Sequence, residues 1–411
     1  MLRDPGPHVT EPPYYDPYDV AIDADPHPVW KRLRDEAPVY HNDRYDFWAL
    51  SRYDDVLGAL LDWQTFISSR GILLEAIDTR AELPDDGTVA GVRPMLIMMD
   101  PPRHDRLRKL VSRAFTPRRV ASLEPRLREL CAEFLDPFVG GVEFDYVEEC
   151  GAKVPSMMIG ELMGVPTDDQ HALRVWIDDV MRYDEAGTDS SRLESLGRIE
   201  EYLQALVAER RRAPRDDMTS DLLAASLELD DGSRSELTHE EVMGFVQLLI
   251  FAGTETTARL IGWAGLLLAR HPDQRARLVD DPTLVGNAIE ELLRYEAPSP
   301  IQGRYVARDV TLHGVTIPAG ARLALLNGAA DRDERAFPDP DRFDVGRTID
   351  RHLAFGYGAH FCLGAALARL EGRVVLEETL ARFPTWEVDE SRVELVRTST
   401  VRGPAHLPFR G

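Results

Sequence analysis

One cysteine carries the strongest chemical signal in this chain. In Phe355-Gly356-Tyr357-Gly358-Ala359-His360-Phe361-Cys362-Leu363-Gly364 it stands inside a glycine-rich turn, behind an aromatic residue. Ala365 to Glu371 are good helix formers, so Cys362 is expected where unpaired backbone N–H groups face its sulfur. Those donors and the helix dipole favour a thiolate. Gly356, Gly358 and Gly364 permit positive φ and close approach by a large flat partner. A thiolate held this way suits an axial ligand to iron that pushes electron density toward bound oxygen. A lone cysteine among apolar residues is more often plain core. The spacing Phe-Gly-x-Gly-x-His-x-Cys-x-Gly is too specific for that.

A second constellation is Ala252-Gly253-Thr254-Glu255-Thr256-Thr257, in the middle of a long apolar run. A glycine and three threonines are poor choices for the centre of a buried helix. Their hydroxyls can bond the carbonyl four residues back. Alone, this is either a bent structural helix or an acid–alcohol pair suited to moving protons. Glu291 and Arg294 stand at i and i+3 on one helix face, usually a weak surface pair. His104 and Arg108 lie one turn apart, Arg304 follows a glycine, and His360 precedes the cysteine by two. Each alone reads as surface charge.

Together these motifs resemble the cytochrome P-450 superfamily, over nearly the whole chain, with matches near 98–108, 252–257, 291–294, 304 and 342. The resemblance implies a mainly α fold with small β-sheets, in which haem b (iron protoporphyrin IX) lies between a long central helix and the cysteine-loop helix. It implies Cys362 as the axial thiolate. His104, Arg108, Arg304 and His360 would receive the haem carboxylates, and Phe355, Gly356, Ala252 and Gly364 would border the ring. Thr256 would hydrogen-bond the oxygen being activated, and Glu255 would relay protons to it. Glu291 and Arg294 would form a buried pair completed by Arg342. Ile97, Leu248, Phe251, Ala252, Pro300, Ile301, Thr400 and Val401 match substrate-facing positions; Gln302 and Thr400 are polar exceptions.

Stepping outward, helical periodicity dominates, with helices expected near 52–61, 103–114, 117–136, 168–183, 191–213, 238–270, 283–296 and 363–381. Thr238 and Glu241 form a capping box for the longest, and His271-Pro272 ends it. Alternation over Pro38–His41 and Asp46–Leu50 predicts a hairpin; 305–326 predicts a second β region, and Val393 to Phe409 a strand pair.

With 411 residues, 44% of them hydrophobic, and no linker or repeat, the chain reads as one catalytic domain over 1–411. Three cysteines are too few for a disulfide framework, which suits the cytoplasm. No apolar stretch nears the ~20 residues that span a bilayer, and Met1 to Tyr18 lacks a signal-peptide core. This fits the bacterial type without a membrane anchor. A net charge of −23 argues against nucleic acid. Arg103, Arg106, Arg108, Lys109, Arg113, Arg118 and Arg119 make one basic stretch, either a solvated face or a dock for an acidic ferredoxin. No flavin or nicotinamide motif is present, so electrons should come from a ferredoxin and its ferredoxin reductase. The expected activity is a monomeric monooxygenase that uses O2 to hydroxylate or epoxidise an apolar small molecule. Alternatives are a peroxide-driven hydroxylase, disfavoured by Glu255-Thr256, and a non-catalytic haem sensor or carrier.

Overall fold

The longest helix begins where its cap is written. In the computed structural model, which describes residues 12–77, 93, 95–112, 115–181, 190–228, 234–396, 398 and 400–411, it runs from His239 to Arg270. The Glu241 N–H donates to the Thr238 hydroxyl at 3.2 Å, and the Thr238 N–H donates to the Glu241 carboxylate at 2.9 Å. Two orphan donors of the first turn are thereby satisfied. Pro272 opens the next helix, Pro272–Asp280. At 1.5 Å per residue the rod is roughly 48 Å long. Most of it is buried, packed by Lys153–Met163 and by the cysteine helix, Ala365–Arg382. Among the described residues no helix is long and apolar enough to cross a membrane.

The architecture is mainly α with small sheets, as expected. The expected 117–136 helix is two, Pro117–Ala121 and Glu124–Leu135, because Pro125 opens the second. Lys153–Met163 is absent from the expected set, since Pro155 and Gly160 dilute its signal. Pro155 sits in the first turn, where no intrahelical N–H is needed.

The expected hairpin forms from Val39–Asn42 and Phe47–Leu50. Arg322–Leu325 pairs parallel to Phe47–Leu50 and antiparallel to Gln302–Val306, and Phe66–Ile67 closes the far edge. Gly303 must be glycine: its N–H donates to the Ile72 carbonyl at 2.8 Å, and a Cβ would lie 2.6 Å from that oxygen. Alternation then sets the faces. Ile301 joins the core of Trp30, Leu33 and Phe47, while Gln302 and Arg304 face a cavity. The tail contributes to two sheets, Glu394–Leu395 with Pro404–His406, and Pro408–Arg410 with Glu387–Val388 and Phe144–Asp145.

Glu291 and Arg294 are fully buried, with guanidinium–carboxylate contacts of 2.7 and 2.8 Å. Their third partner differs from expectation. Arg342 is 63% exposed and lies 3.7 Å from Asp344. Arg347 reaches Glu291 instead, at 3.2 Å, and also donates to the carbonyls of Pro338, Asp339 and Arg342. The turn presents the Arg342 carbonyl, not its side chain, to Arg347. Removing one partner of a buried ion pair is strongly destabilising, whereas surface charges contribute little. Arg347→Ala should therefore cost about 2–4 kcal/mol and Arg342→Ala under about 0.5 kcal/mol. Urea unfolding of the two variants checks this, and equal losses would contradict the assignment.

Candidate active site

The cysteine loop is shaped by backbone contacts. The Asp331 carboxylate accepts from the Leu353 N–H at 2.7 Å, and the Cys362 N–H donates to the Phe355 carbonyl at 2.9 Å. Gly356 and Gly358 have φ of 64° and 70°. A Cβ on Gly358 would lie 2.8 Å from the Leu60 carbonyl oxygen. Gly364 departs from expectation: it caps the cysteine helix at φ −83°, so its use is the open space beside it. Cys362 does face the Gly364 and Ala365 N–H groups, Arg108 and Arg369, all of which favour the thiolate. Burial outweighs them and holds the thiol above its ordinary value. A coordinated metal ion reverses that balance, because a ligating thiol is deprotonated outright.

Cys362 lines a cavity of about 250 Å³. From the cysteine side come Phe355, Gly356 and Gly364, and from the long helix Leu248, Ala252 and Thr256, spaced four residues apart. His104, Arg108, Arg304 and His360 complete one part of it. The rings of His104 and His360 are 4.4 Å apart, and the Nε2 of each is buried without a hydrogen-bond partner. Burial, then Arg304, His104 and Arg108, press His360 down to about 3, so its ring is neutral. Arg304 is buried, lowered by that burial to about 10, and bonds the Gly303 carbonyl at 2.7 Å. Among the described residues no carboxylate forms an ion pair with it. Unsatisfied donors beside a large apolar space fit a flat group that carries carboxylates.

Thr256 reaches this cavity and Glu255 does not. The Thr256 hydroxyl donates to the Ala252 carbonyl at 2.7 Å, and Thr254 does the same to Ile250 at 2.9 Å. Glu255 is buried against Arg259 at 3.3 Å, and Arg259 also donates to the Pro404 carbonyl. Ile97, Leu248 and Ala252 line the cavity as expected, but five others do not. Phe251 falls outside the helical stripe of Leu248, Ala252 and Thr256 and packs against the main core. Pro300, Ile301, Thr400 and Val401 line a separate crevice with Tyr15 and Trp30. Among the lining residues outside the expected set are Ser299 and the buried acid Glu371. The signal for Glu371 was a carboxylate among apolar residues on the helix that follows the cysteine.

The basic stretch is only partly available. Arg106 contacts Glu241 at 2.6 Å and Ser235 at 2.8 Å, and Arg119 pairs with Asp221. Lys109 and Arg118 are exposed, and Arg113 lies outside the described residues.

A family model described as cytochrome P450 matches residues 158–403. A putative cytochrome P450 123 of Mycobacterium tuberculosis is 43% identical over 398 residues, 96% of each chain. A vitamin D(3) 25-hydroxylase of Pseudonocardia autotrophica is 42% identical over 390 residues, 93% of each. The structure of cytochrome P450 CYP109Q5 from Chondromyces apiculatus superposes with a TM-score of 0.85 at 37% identity, covering 96% of this chain and 97% of that one. The chain belongs to the cytochrome P450 family of monooxygenases, whose cofactor is haem, iron protoporphyrin IX.

Burial raises the Glu371 carboxyl to about 8, with a smaller opposing effect from the Thr257 hydroxyl. A carboxyl raised on folding contributes stability at low pH that is lost as pH climbs through its folded value. Glu371→Gln should therefore gain in melting temperature relative to the parent between about pH 5 and pH 8. A constant difference across that range would show that Glu371 is not held neutral.

Proposed function

We propose that this chain hydroxylates or epoxidises an apolar small molecule, acting as one catalytic unit supplied by a ferredoxin and its ferredoxin reductase. The observation that carries the reading is a single cavity bordered by Cys362, the partnerless Nε2 atoms of His104 and His360, the buried Arg304, and Thr256. When bound, the haem, with Cys362 as its thiolate ligand, supplies O2 activation and the insertion of one oxygen atom into the substrate. The net reaction consumes one O2, two electrons and two protons and yields the oxidised substrate and water. His104, Arg108, Arg304 and His360 would hold the cofactor carboxylates. Phe355, Gly356, Ala252 and Gly364 would border its ring.

Thr256 holds a proton at Oγ1 within the cavity. Rotating the hydroxyl away from the Ala252 carbonyl turns it toward the reacting site. Glu255 resupplies that proton only after its carboxylate leaves Arg259, since the ion pair keeps it off the cavity wall. Ile97 and Leu248 offer a hydrocarbon surface to the substrate. The relative named a vitamin D(3) 25-hydroxylase supports hydroxylation of a largely hydrocarbon molecule. Among the described residues of the basic stretch, exposed Lys109 and Arg118 are placed to attract an acidic ferredoxin in the cytoplasm.

Thr256→Ala provides the test. With a surrogate ferredoxin and reductase, the variant should bind ligands as the parent does and consume reductant. Product per electron should fall by up to roughly a hundredfold, the low end of a positioned proton donor's contribution, as oxygen leaves as hydrogen peroxide. Unchanged coupling would overturn the role of Thr256, and no oxygenated product from the parent over a broad apolar panel would overturn the activity.

A further inference from the structure

The cavity wall is apolar along the long helix but polar at the start of the Gln302–Val306 strand. Ser299 and Gln302 are both half-buried and both line the cavity. The Gln302 amide donates through Nε2 to the Ser299 hydroxyl oxygen at 2.9 Å. This bond leaves the Ser299 O–H free to donate and Gln302 Oε1 free to accept. If the amide is turned over, the hydroxyl donates to Oε1, and an amide N–H and the hydroxyl lone pairs are left instead. In either arrangement the pair keeps at least one free donor beside at least one free acceptor. The strand ladder does not draw the Gln302 amide away, because Gln302 pairs with Leu325 through its backbone.

A wall of this kind is selective. An alcohol is itself a donor and an acceptor and satisfies both partners at once. A ketone or ether engages only the donor and leaves the acceptor desolvated and unpaired. A carboxylate opposes its lone pairs to the acceptor, and a hydrocarbon leaves both groups unsatisfied. A site built to bond a hydroxyl discriminates strongly against the analogue that lacks it.

We infer that Ser299 and Gln302 form a hydroxyl-reading pair, so that the substrate is an apolar molecule already bearing an alcohol. Its hydroxyl binds at the strand, while its hydrocarbon body lies along Ile97, Leu248 and Ala252. The inference rests on the monooxygenase reading and specifies the substrate class of the same cavity. It also places this enzyme after a reaction that has already introduced an alcohol into the hydrocarbon skeleton.

The test is isothermal titration of the haem-loaded protein with matched sets of rigid polycyclic compounds. Each set carries hydrogen, a keto group or a hydroxyl at one carbon of the same skeleton. The alcohol should bind roughly tenfold more tightly than the ketone or hydrocarbon, the order expected for one satisfied buried donor–acceptor pair. Gln302→Leu and Ser299→Ala should each remove most of that advantage while leaving affinity for the parent hydrocarbon within about twofold, and each variant's melting temperature reports whether it folds. Equal affinities within every set, or an alcohol preference that survives in both variants, would overturn the pair. Alcohols that bind selectively but are never oxygenated would instead count against the monooxygenase reading and leave the pair standing.

Discussion

Arg304 is a buried guanidinium that bonds a backbone carbonyl and forms no ion pair among the described residues. Burying an uncompensated charge is costly, yet much of the surrounding fold holds this one in place. The strand that carries it is paired on both sides, to Arg322–Leu325 and Phe66–Ile67. The absence of a side chain at Gly303 lets the strand lie against the Ile72 carbonyl. His104 and His360 add two more buried nitrogens without partners. An anionic group bound in the cavity would partner them, and any ligand that binds only the folded chain adds to its stability.

Two helices define that space. The long helix contributes a stripe of Leu248, Ala252 and Thr256, and the cysteine helix contributes Gly364 at its mouth and Glu371 two turns further on. Their outer faces are anchored elsewhere. Tyr146 and Thr379 bond at 2.8 Å on one side, and Arg369 bonds Glu290 at 2.7 Å on another. Arg106 ties the helix that carries His104 and Arg108 to Glu241, the residue that also caps the long helix. A displacement of one wall is therefore felt at the cradle, at the cap and at the Thr256 turn together.

The parts of this site that were legible in the sequence are those fixed by local bonding. The cysteine loop closes on itself from Phe355 to Cys362, and the capping box of Thr238 and Glu241 spans four residues, so contiguous motifs sufficed. The parts that were not legible depend on which face a side chain takes. Phe251 lies one residue from Ala252 yet leaves the cavity stripe, and Ile301 lies one residue from Gln302 yet points into another core. Arg342 and Arg347 follow the same Pro-Asp run, and only the path of that turn decides which meets Glu291. Glu255 stands beside an alcohol in the sequence, but Arg259, one turn on, holds its carboxylate in the fold.

The claim on which the account turns is that Cys362 is the thiolate ligand of a haem seated in this cavity. Carbon monoxide difference spectroscopy of the reduced protein, run beside Cys362→Ser and a Cys131→Ser, Cys150→Ser double variant, tests it most directly. The parent and the double variant should show the red-shifted band of a thiolate-ligated haem, and Cys362→Ser should lack it. The same band in Cys362→Ser, or its absence from the haem-loaded parent, would contradict the account.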